Sequence, residues 1–293
     1  MQMVAVRAYH APATVSECLG VLRDETGGVV VLAGGQSVMP LLRSRELRPE
    51  VLLDLGRVDS LRASAVAADG SLELGAMVRH RDVLRDDAVI RGWSALADAA
   101  GIIGDRQVQN RGTVGGNVVF GGLGTDMRQV VMCLSGELSV VGPDGERTVS
   151  AREAFANGRP IVNDGELLSA VRLPAMGAGS GSAYTKYGIT ANGRAVIGVA
   201  AAVTLDGSGV CTQANVAVGG ILPGPRECAG AAGSLVGARL DAELIRLAAD
   251  AAAQEIAPQD DARASAEYRR QLIRVYARRS LERALVRALE GVS

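Results

Sequence analysis

Two glycine-rich segments carry the clearest chemical signal in this sequence. The first runs from Gly34 to Ser37, directly after the β-branched stretch 29–33 and before a helix-like stretch. At the start of a helix the backbone N–H groups lack internal partners, and the helix dipole favours an anion. Glycine also lets the main chain approach a phosphate closely, because it has no Cβ. The first segment therefore predicts an anion-binding turn.

The second segment, Thr113 to Asn117, reads Thr-Val-Gly-Gly-Asn. It offers further N–H donors together with a hydroxyl and an amide side chain. Two such turns could hold a diphosphate from both sides. A Gly-Gly pair after a strand also serves as an ordinary turn, so each segment alone leaves that alternative open.

Other nucleotide-binding and catalytic motifs are absent from the sequence. Neither segment has the GxGxxG pattern of a Rossmann site, and there is no GxxxxGK[ST] phosphate loop. Residues 179–182 lack the spacing of a GxSxG nucleophile elbow. His10 and His80 are the two histidines, and we predict His80 to be a surface or helix-cap residue. Acyl transfer therefore has no obvious machinery.

Composition limits the remaining classes of function. Cys18, Cys133, Cys211 and Cys228 form no CxxC pair, so we predict buried thiols, and any redox role would need an organic cofactor. The formal net charge of −1 gives no sign of nucleic acid or an anionic membrane as a partner. No stretch approaches the roughly 18 apolar residues of a membrane helix. Residues 1–7 show no signal-peptide pattern, and we expect a cytoplasmic location.

Lys186 is the only lysine in a chain whose other basic residues are arginines. A codon bias toward arginine would explain this. So would a position that needs a compact ammonium, which a planar guanidinium cannot replace.

The elements that position these residues fall into three regions. In the first, to about Arg57, we predict a helix 17–24 capped by Ser16 and ended by Gly27-Gly28, then strand, helix and strand. The second region extends to Pro174. In it we predict strands at 71–76 and 167–173, and helices at 81–91 and 94–100. Between them we predict a hairpin formed by residues 137–141 and 147–149. After a linker at 176–182 we predict the elements at 196–205 and 211–218 (antiparallel strands), and 240–255 and 264–289 (helices).

The two segments and their neighbours resemble one known family. Val31 to Ser37 resembles the first FAD pyrophosphate loop of the flavin subunit of molybdenum hydroxylases, which include xanthine dehydrogenases and aerobic carbon monoxide dehydrogenases. Arg111 to Asn117 is similar to its second loop. Further similar features, in the family's order, are Tyr9–Pro12, Gly75–Val78, Leu167–Pro174 and Tyr184–Tyr187. The resemblance covers essentially the whole chain.

The resemblance implies an α+β fold with two domains. Residues 1–175 would form a two-lobed FAD-binding domain of the vanillyl-alcohol-oxidase/PCMH type, with lobes at about 1–57 and 58–175. Residues 176–293 would form a C-terminal antiparallel sheet with helices.

The resemblance also implies the cofactor contacts, and it implies no catalytic residue and no metal ligand in this chain. The first segment would contribute Val31, Leu32, Ala33, Gly34, Gly35, Gln36, Ser37 and Val38, and the second Thr113, Val114, Gly115, Gly116 and Asn117. Ile103 would lie against the flavin, Asp126 would bind FAD through a hydroxyl, and Leu168 would make a backbone contact. Lys186 would lie beside the flavin, where its charge would favour the anionic reduced form by about 1–4 kcal/mol.

The implied function is electron transfer within a complex. FAD would be bound noncovalently, and partner chains would be a large molybdenum-cofactor subunit and a small subunit with two [2Fe-2S] clusters. Electrons would pass through the clusters and FAD to NAD, oxygen or a quinone, in a heterotrimer or a dimer of heterotrimers with at most indirect membrane association. Two alternatives stay open: a self-contained FAD-dependent oxidoreductase, and a non-enzymatic scaffold that has lost FAD.

One segment departs from the family's pattern. Phe120 to Thr125 lacks the usual acid and proline and has extra glycines, and Met127 to Gln129 also differs. We expect a looser backbone beside the flavin here.

Overall fold

A computed structural model describes residues 6–25, 27–156, 160–190 and 193–291 of the chain. Residues 1–5, on which the expected location partly depends, lie outside these ranges. Within them, no helix combines the length and the apolar character needed to cross a bilayer.

A three-stranded parallel sheet with order β1-β3-β2 forms the first lobe. Its elements are β1 (Ala8–His10), α1 (Val15–Asp24), β2 (Val29–Leu32), α2 (Val38–Ser44) and β3 (Val51–Asp54). Short 3-10 turns at Leu55–Arg57 and Asp59–Arg62 lead to the second lobe.

The start of α1 differs from the prediction. Thr14 caps the helix instead of Ser16, because its hydroxyl accepts from the Glu17 amide at 3.2 Å and the Glu17 carboxylate accepts from the Thr14 amide at 3.2 Å. This reciprocal capping box satisfies two helix-end donors at once. The helix ends at Asp24, as predicted.

The second lobe holds a five-stranded sheet with order β4-β5-β8-β6-β7, flanked by short helices. Its elements are β4 (Ser64–Val66), β5 (Leu72–Gly75), α3 (His80–Val83), α4 (Asp87–Gly92), α5 (Ser94–Ile102), α6 (Arg106–Arg111), α7 (Val114–Phe120), α8 (Met127–Cys133), β6 (Glu137–Gly142), β7 (Gly145–Ser150), α9 (Ala151–Ala156) and β8 (Leu167–Leu173). The predicted helix 81–91 is two helices, because the Asp86 carboxylate accepts from the Ala88 amide at 3.0 Å and caps α4.

The third region is an antiparallel sheet with order β12-β11-β10-β9 and three helices. Its elements are β9 (Ser180–Tyr187), β10 (Ile197–Leu205), β11 (Cys211–Gly219), β12 (Arg226–Glu227), α10 (Ala229–Gly233), α11 (Ala242–Glu255) and α12 (Ala266–Glu290). Alternate residues of β10 face opposite sides, as strand geometry requires. Val199 and Val203 join the core under α11 and α12, whereas Ala200 and Ala202 join the core of the second lobe.

A partly buried ion pair joins the C-terminal region to the second lobe. Asp98 on α5 accepts from Arg287 on α12 at 2.7 and 2.9 Å, and from the Tyr184 amide at 3.0 Å. The predicted linker is shorter than expected, because Ser180 already pairs with β10 and the Ser182 hydroxyl accepts from the Ala95 amide at 3.1 Å.

The predicted α+β organisation, two lobes followed by an antiparallel sheet with helices, is confirmed. The predicted β6–β7 hairpin and the four buried free thiols are also confirmed. The domain boundary at residue 175 stays a prediction.

Candidate cofactor-binding site

A cavity of about 450 Å³ lies where the two lobes and the C-terminal sheet meet. All the predicted contact residues line it except Leu32, which pairs with Asp54 in the parallel sheet, and Val114, which is fully buried in the core of the second lobe. The predicted residues that do line it are Val31, Ala33, Gly34, Gly35, Gln36, Ser37, Val38, Ile103, Thr113, Gly115, Gly116, Asn117, Asp126, Leu168 and Lys186. Its volume is within the range of small-molecule sites, roughly 300–1,000 Å³.

The first glycine segment forms one wall of the cavity and has free donors. None of the backbone N–H groups from Gly34 to Val38 donates a hydrogen bond to the described part of the chain. Gly35 has a φ of 76°, which favours glycine, and the Gln36 side chain donates to the Gly34 carbonyl at 3.1 Å. The turn is thus shaped by the chain itself while its amides stay available for an anion.

The second glycine segment is different from the prediction, because it is the first turn of α7 and its amides are in use. Thr113 caps the helix, and its hydroxyl accepts from the Gly116 amide at 3.0 Å. The Gly115 amide donates to the Ala76 carbonyl at 3.0 Å, and the Asn117 amide to the Thr113 carbonyl at 3.0 Å. This segment therefore does not offer the second set of free amides that we expected.

Close backbone contacts explain the glycines of both segments. A Cβ at Gly34 would overlap the carbonyl oxygen of Arg111, so this glycine lets the first segment touch the chain that leads into α7. A Cβ at Gly115 would lie 2.6 Å from both the Cβ and the carbonyl oxygen of Ala76. The two glycine segments are thus packed into one continuous surface around the cavity.

A buried polar network forms the opposite wall. Lys186 Nζ lies 3.0 Å from Asp126 Oδ2, and each of these side chains is 5% exposed. The hydroxyl of Tyr184 donates to Asp126 Oδ1 at 2.6 Å and accepts from Gln129 Nε2 at 2.9 Å. Burial raises the pKa of Asp126, against the opposing effects of the Lys186 ammonium and the Tyr184 hydroxyl. Burial also holds the pKa of Tyr184 well above its usual value, so its hydroxyl stays a donor.

This pairing changes the expected role of Lys186. A cation that neutralises a carboxylate 3.0 Å away exerts a much weaker field on a ligand than a lone ammonium does. The predicted stabilisation of an anionic flavin by Lys186 is therefore reduced, and both oxygens of Asp126 already have donors within the protein.

Apolar residues complete the walls between these polar groups. Ile103 ends α5 and is 7% exposed, Leu168 on β8 is 4% exposed, and Met77 is 4% exposed. The pairing of β6 with β8 shifts register next to Leu168, and bulges of this kind redirect side chains beside binding sites. These residues can cover a flat, largely apolar ring and exclude water from it.

A buried arginine packs against the start of the segment Phe120 to Thr125. The buried Arg128 guanidinium donates to the Val118 carbonyl at 2.6 Å and to the Val119 carbonyl at 3.2 Å, and so caps the end of α7. A Cβ at Gly121 would overlap this guanidinium, so the extra glycine and the unusual Arg128 belong together. Burial lowers the pKa of Arg128 to about 10, which leaves it charged at neutral pH. The expected looseness of the segment stays a prediction.

Sequence reasoning missed His80, which we predicted to be a surface or helix-cap residue. It is the first residue of α3, is 2% exposed and lines the cavity. Burial lowers its pKa to about 4, so the imidazole is neutral. The available signal was its place two residues after Gly75–Val78, a segment that carries part of the family resemblance. Arg194, which also lines the cavity, had no such signal.

Comparisons with known proteins agree with this geometry. Residues 3–176 match the family model described as the FAD binding domain in molybdopterin dehydrogenase, and residues 182–284 match the CO dehydrogenase flavoprotein C-terminal domain. The 6-hydroxypseudooxynicotine dehydrogenase complex subunit alpha of Paenarthrobacter nicotinovorans is 32% identical, over 96% of this chain and 95% of that protein. The carbon monoxide dehydrogenase medium chain of Hydrogenophaga pseudoflava is 31% identical, over 95% of this chain and 97% of that protein.

Solved structures agree over the same length. One chain of the carbon monoxide dehydrogenase from Hydrogenophaga pseudoflava, in a form that lacks the Mo-pyranopterin moiety of the molybdenum cofactor, superposes with a TM-score of 0.91 at 30% identity. The superposition covers 98% of this chain and 99% of that one. The likeness therefore includes both lobes and the C-terminal sheet.

Proposed function

This chain belongs to the family of FAD-binding subunits of molybdenum hydroxylase complexes, and on that premise we propose that its cavity holds FAD with the diphosphate on the amides of Gly34 to Val38. The observation that carries this assignment is the run of unpaired N–H groups at a turn whose shape the chain itself fixes. Unpaired backbone donors in a cavity wall call for an acceptor that the protein does not supply. A diphosphate supplies several acceptor oxygens.

The remaining wall residues have separate tasks. Ile103 and Leu168 would cover the ring system, while Thr113 and Gly116 would shape the wall as the first turn of α7. The chemistry that FAD supplies when bound is the transfer of electrons from iron–sulfur clusters of a partner chain to an external acceptor. This chain would contribute no general acid or base to that transfer. Residues 1–175 would form the cofactor domain, and the domain from 176 would supply Lys186.

The names of the relatives, which describe a medium chain and a subunit of a complex, support a proposal about partners. We propose a large subunit with the molybdenum cofactor and a small subunit with two [2Fe-2S] clusters, in a heterotrimer or its dimer, located in the cytoplasm. A single hydroxylation site in the large subunit would then determine which substrate the complex oxidises.

The test is purification of the tagged chain from its own cells. We expect two further subunits, the flavin absorbance band and reduction of that band when substrate of the complex is added. A purified chain that turns over small-molecule donors without partners would favour the self-contained oxidoreductase. An assembled complex with no flavin band would favour the scaffold.

A further inference from the structure

His80 has an unpaired imidazole in the cavity wall. Its Nδ1 is buried and has no hydrogen-bond partner, and none of the described contacts occupies its Nε2. The backbone holds the residue in place, because the His80 amide donates to the Gly112 carbonyl at 3.1 Å. A buried polar side chain without a partner is costly, and native proteins retain few of them.

The position of the imidazole relates it to the first glycine segment. A Cβ at Gly112 would lie 2.9 Å from His80 Cδ2 and 3.1 Å from Nε2, so this ring edge packs on Gly112. A Cβ at Gly34 would lie 2.8 Å from the Gly112 Cα, so the free amides of the first segment begin directly beyond that glycine. One glycine, Gly112, thus lies between the ring and the first glycine segment, and both line the same cavity.

Burial also decides which nitrogen carries the proton. The imidazole is neutral, so it has one donor and one acceptor. A buried N–H without a partner is rarer in proteins than a buried acceptor without one. The proton therefore belongs on Nε2, and the enclosed Nδ1 keeps its lone pair.

We propose that His80 is a cofactor-positioning residue whose Nε2–H donates a hydrogen bond to an oxygen at the diphosphate end of bound FAD. The proposal rests on the proposed function, since it needs FAD in this cavity. It adds a side-chain donor on the α3 side to the backbone donors of the Gly34 turn.

The two histidines of the chain make this directly measurable. In the full chain labelled with ¹⁵N-histidine, only His10 and His80 give imidazole signals. His10 is an internal control, because it is paired with Glu25 at 2.8 Å and lies outside the cavity lining. We expect His80 to show the neutral Nε2–H form at neutral pH, and its Nε2 signal to shift on addition of FAD while His10 stays in place.

Two variants separate a hydrogen bond from simple packing. The His80→Gln side chain can place an N–H near the position of Nε2, whereas His80→Leu has similar bulk and no donor. We expect His80→Leu to weaken FAD binding about 10-fold and His80→Gln to stay within about 3-fold of the natural chain. Thermal unfolding of both variants without FAD reports any loss of folding, and the labelling experiment needs no variant.

The outcomes distinguish the role of His80 from the proposed function. If the natural chain binds FAD and the His80 signals stay in place, or show the Nδ1–H form, the role of His80 is wrong while the proposed function stands. If the natural chain binds no FAD, the proposed function itself fails.

Discussion

The two walls of the cavity use the same residue type for opposite purposes. In the first-lobe wall, the amides from Gly34 to Val38 have no partner in the described chain. In the second-lobe wall, Gly115 and Gly116 sit in the first turn of a helix and both of their amides are hydrogen-bonded within the protein. One glycine pair leaves donors for a ligand, and the other lets backbones pack.

The difference shows that a glycine pair does not by itself identify a binding loop. What distinguishes the walls is where their hydrogen bonds go, and this depends on partners distant in sequence, such as the Ala76 carbonyl. The second glycine segment is therefore expected to govern stability, and the first glycine segment to govern FAD affinity. The following predictions test this division, from the largest expected effect to the smallest.

Asp126→Asn should cause the largest loss, because it leaves the Lys186 ammonium buried without a counter-charge. Both side chains are 5% exposed, so solvent screens the pair little. Removing one partner of a buried ion pair costs about 3–5 kcal/mol. Urea unfolding of the chain measures this change in the free energy of unfolding.

The double variant Asp126→Leu/Lys186→Met is the matched control. Replacement of a whole buried pair by apolar side chains is often close to neutral, so we expect it to recover most of the loss. If the single variant Asp126→Asn were as stable as the natural chain, the stability of the fold would not depend on the Asp126–Lys186 pair.

Gly115→Ala should destabilise the chain by about 1–3 kcal/mol through overpacking. The new Cβ would lie 2.6 Å from two Ala76 atoms, one of them a backbone oxygen that cannot move aside cheaply. Gly28→Ala is the control, because a Cβ there meets nothing within 4 Å. Equal unfolding midpoints for the two variants would contradict the packing role of Gly115.

The fold was more accessible to sequence reasoning than the details of the site. Strand β10 was predictable because it is a nearly continuous apolar run, and both of its faces are buried in the structure. The two glycine segments could be found because their residue types are restrictive. The hydrogen bonds of the Gly115 and Gly116 amides could not be predicted. Their partners are the Ala76 carbonyl, just after a strand, and the Thr113 hydroxyl, which caps α7.

Side-chain partners in the site were also beyond local patterns. Lys186 drew attention as the only lysine, but nothing near it in the sequence indicates Asp126, which lies on another element. His80 was assigned to the surface or to a helix cap because a lone histidine has no periodic signal. Its burial follows from the packing of α3 against α5 and α6, which only the tertiary structure provides.

Gly35→Ala should lower FAD affinity about 10-fold or more while it costs about 1 kcal/mol of stability. Gly35 has a φ of 76°, so a side chain strains the turn and turns its free amides away from the ligand. Gly35→Asn is the matched control, since asparagine tolerates this conformation and should retain most of the affinity. Titration with FAD, followed by flavin fluorescence, gives the dissociation constants of the Gly35→Ala and Gly35→Asn variants. An unchanged affinity for Gly35→Ala would remove the first-lobe wall from the diphosphate site.

Acidification should reveal the smallest effect, at Glu166 on the rim of the cavity. Hydrogen bonds from Arg147 at 2.9 and 2.6 Å, the first cause of the shift, lower the pKa of Glu166 to about 2 from an ordinary 4.5. A lowered pKa stabilises the fold above pH 4.5, and this contribution is lost as the pH falls from there toward 2.

Because Arg147 is 39% exposed, screening keeps this contribution to about 1 kcal/mol or less. In Glu166→Gln the difference between unfolding free energies at pH 6 and pH 3 should be smaller than in the natural chain by that amount. Parallel pH profiles for the two chains would mean that the ion pair does not contribute.

The central claim is that free amides on the first-lobe wall, and not those of the second glycine segment, hold the FAD diphosphate. The most direct measurement is an experimental structure of the chain with FAD bound. We expect diphosphate oxygens within hydrogen-bond distance of amides between Gly34 and Val38. A flavin bound elsewhere, or a diphosphate held only by the Gly115 and Gly116 amides, would contradict the account.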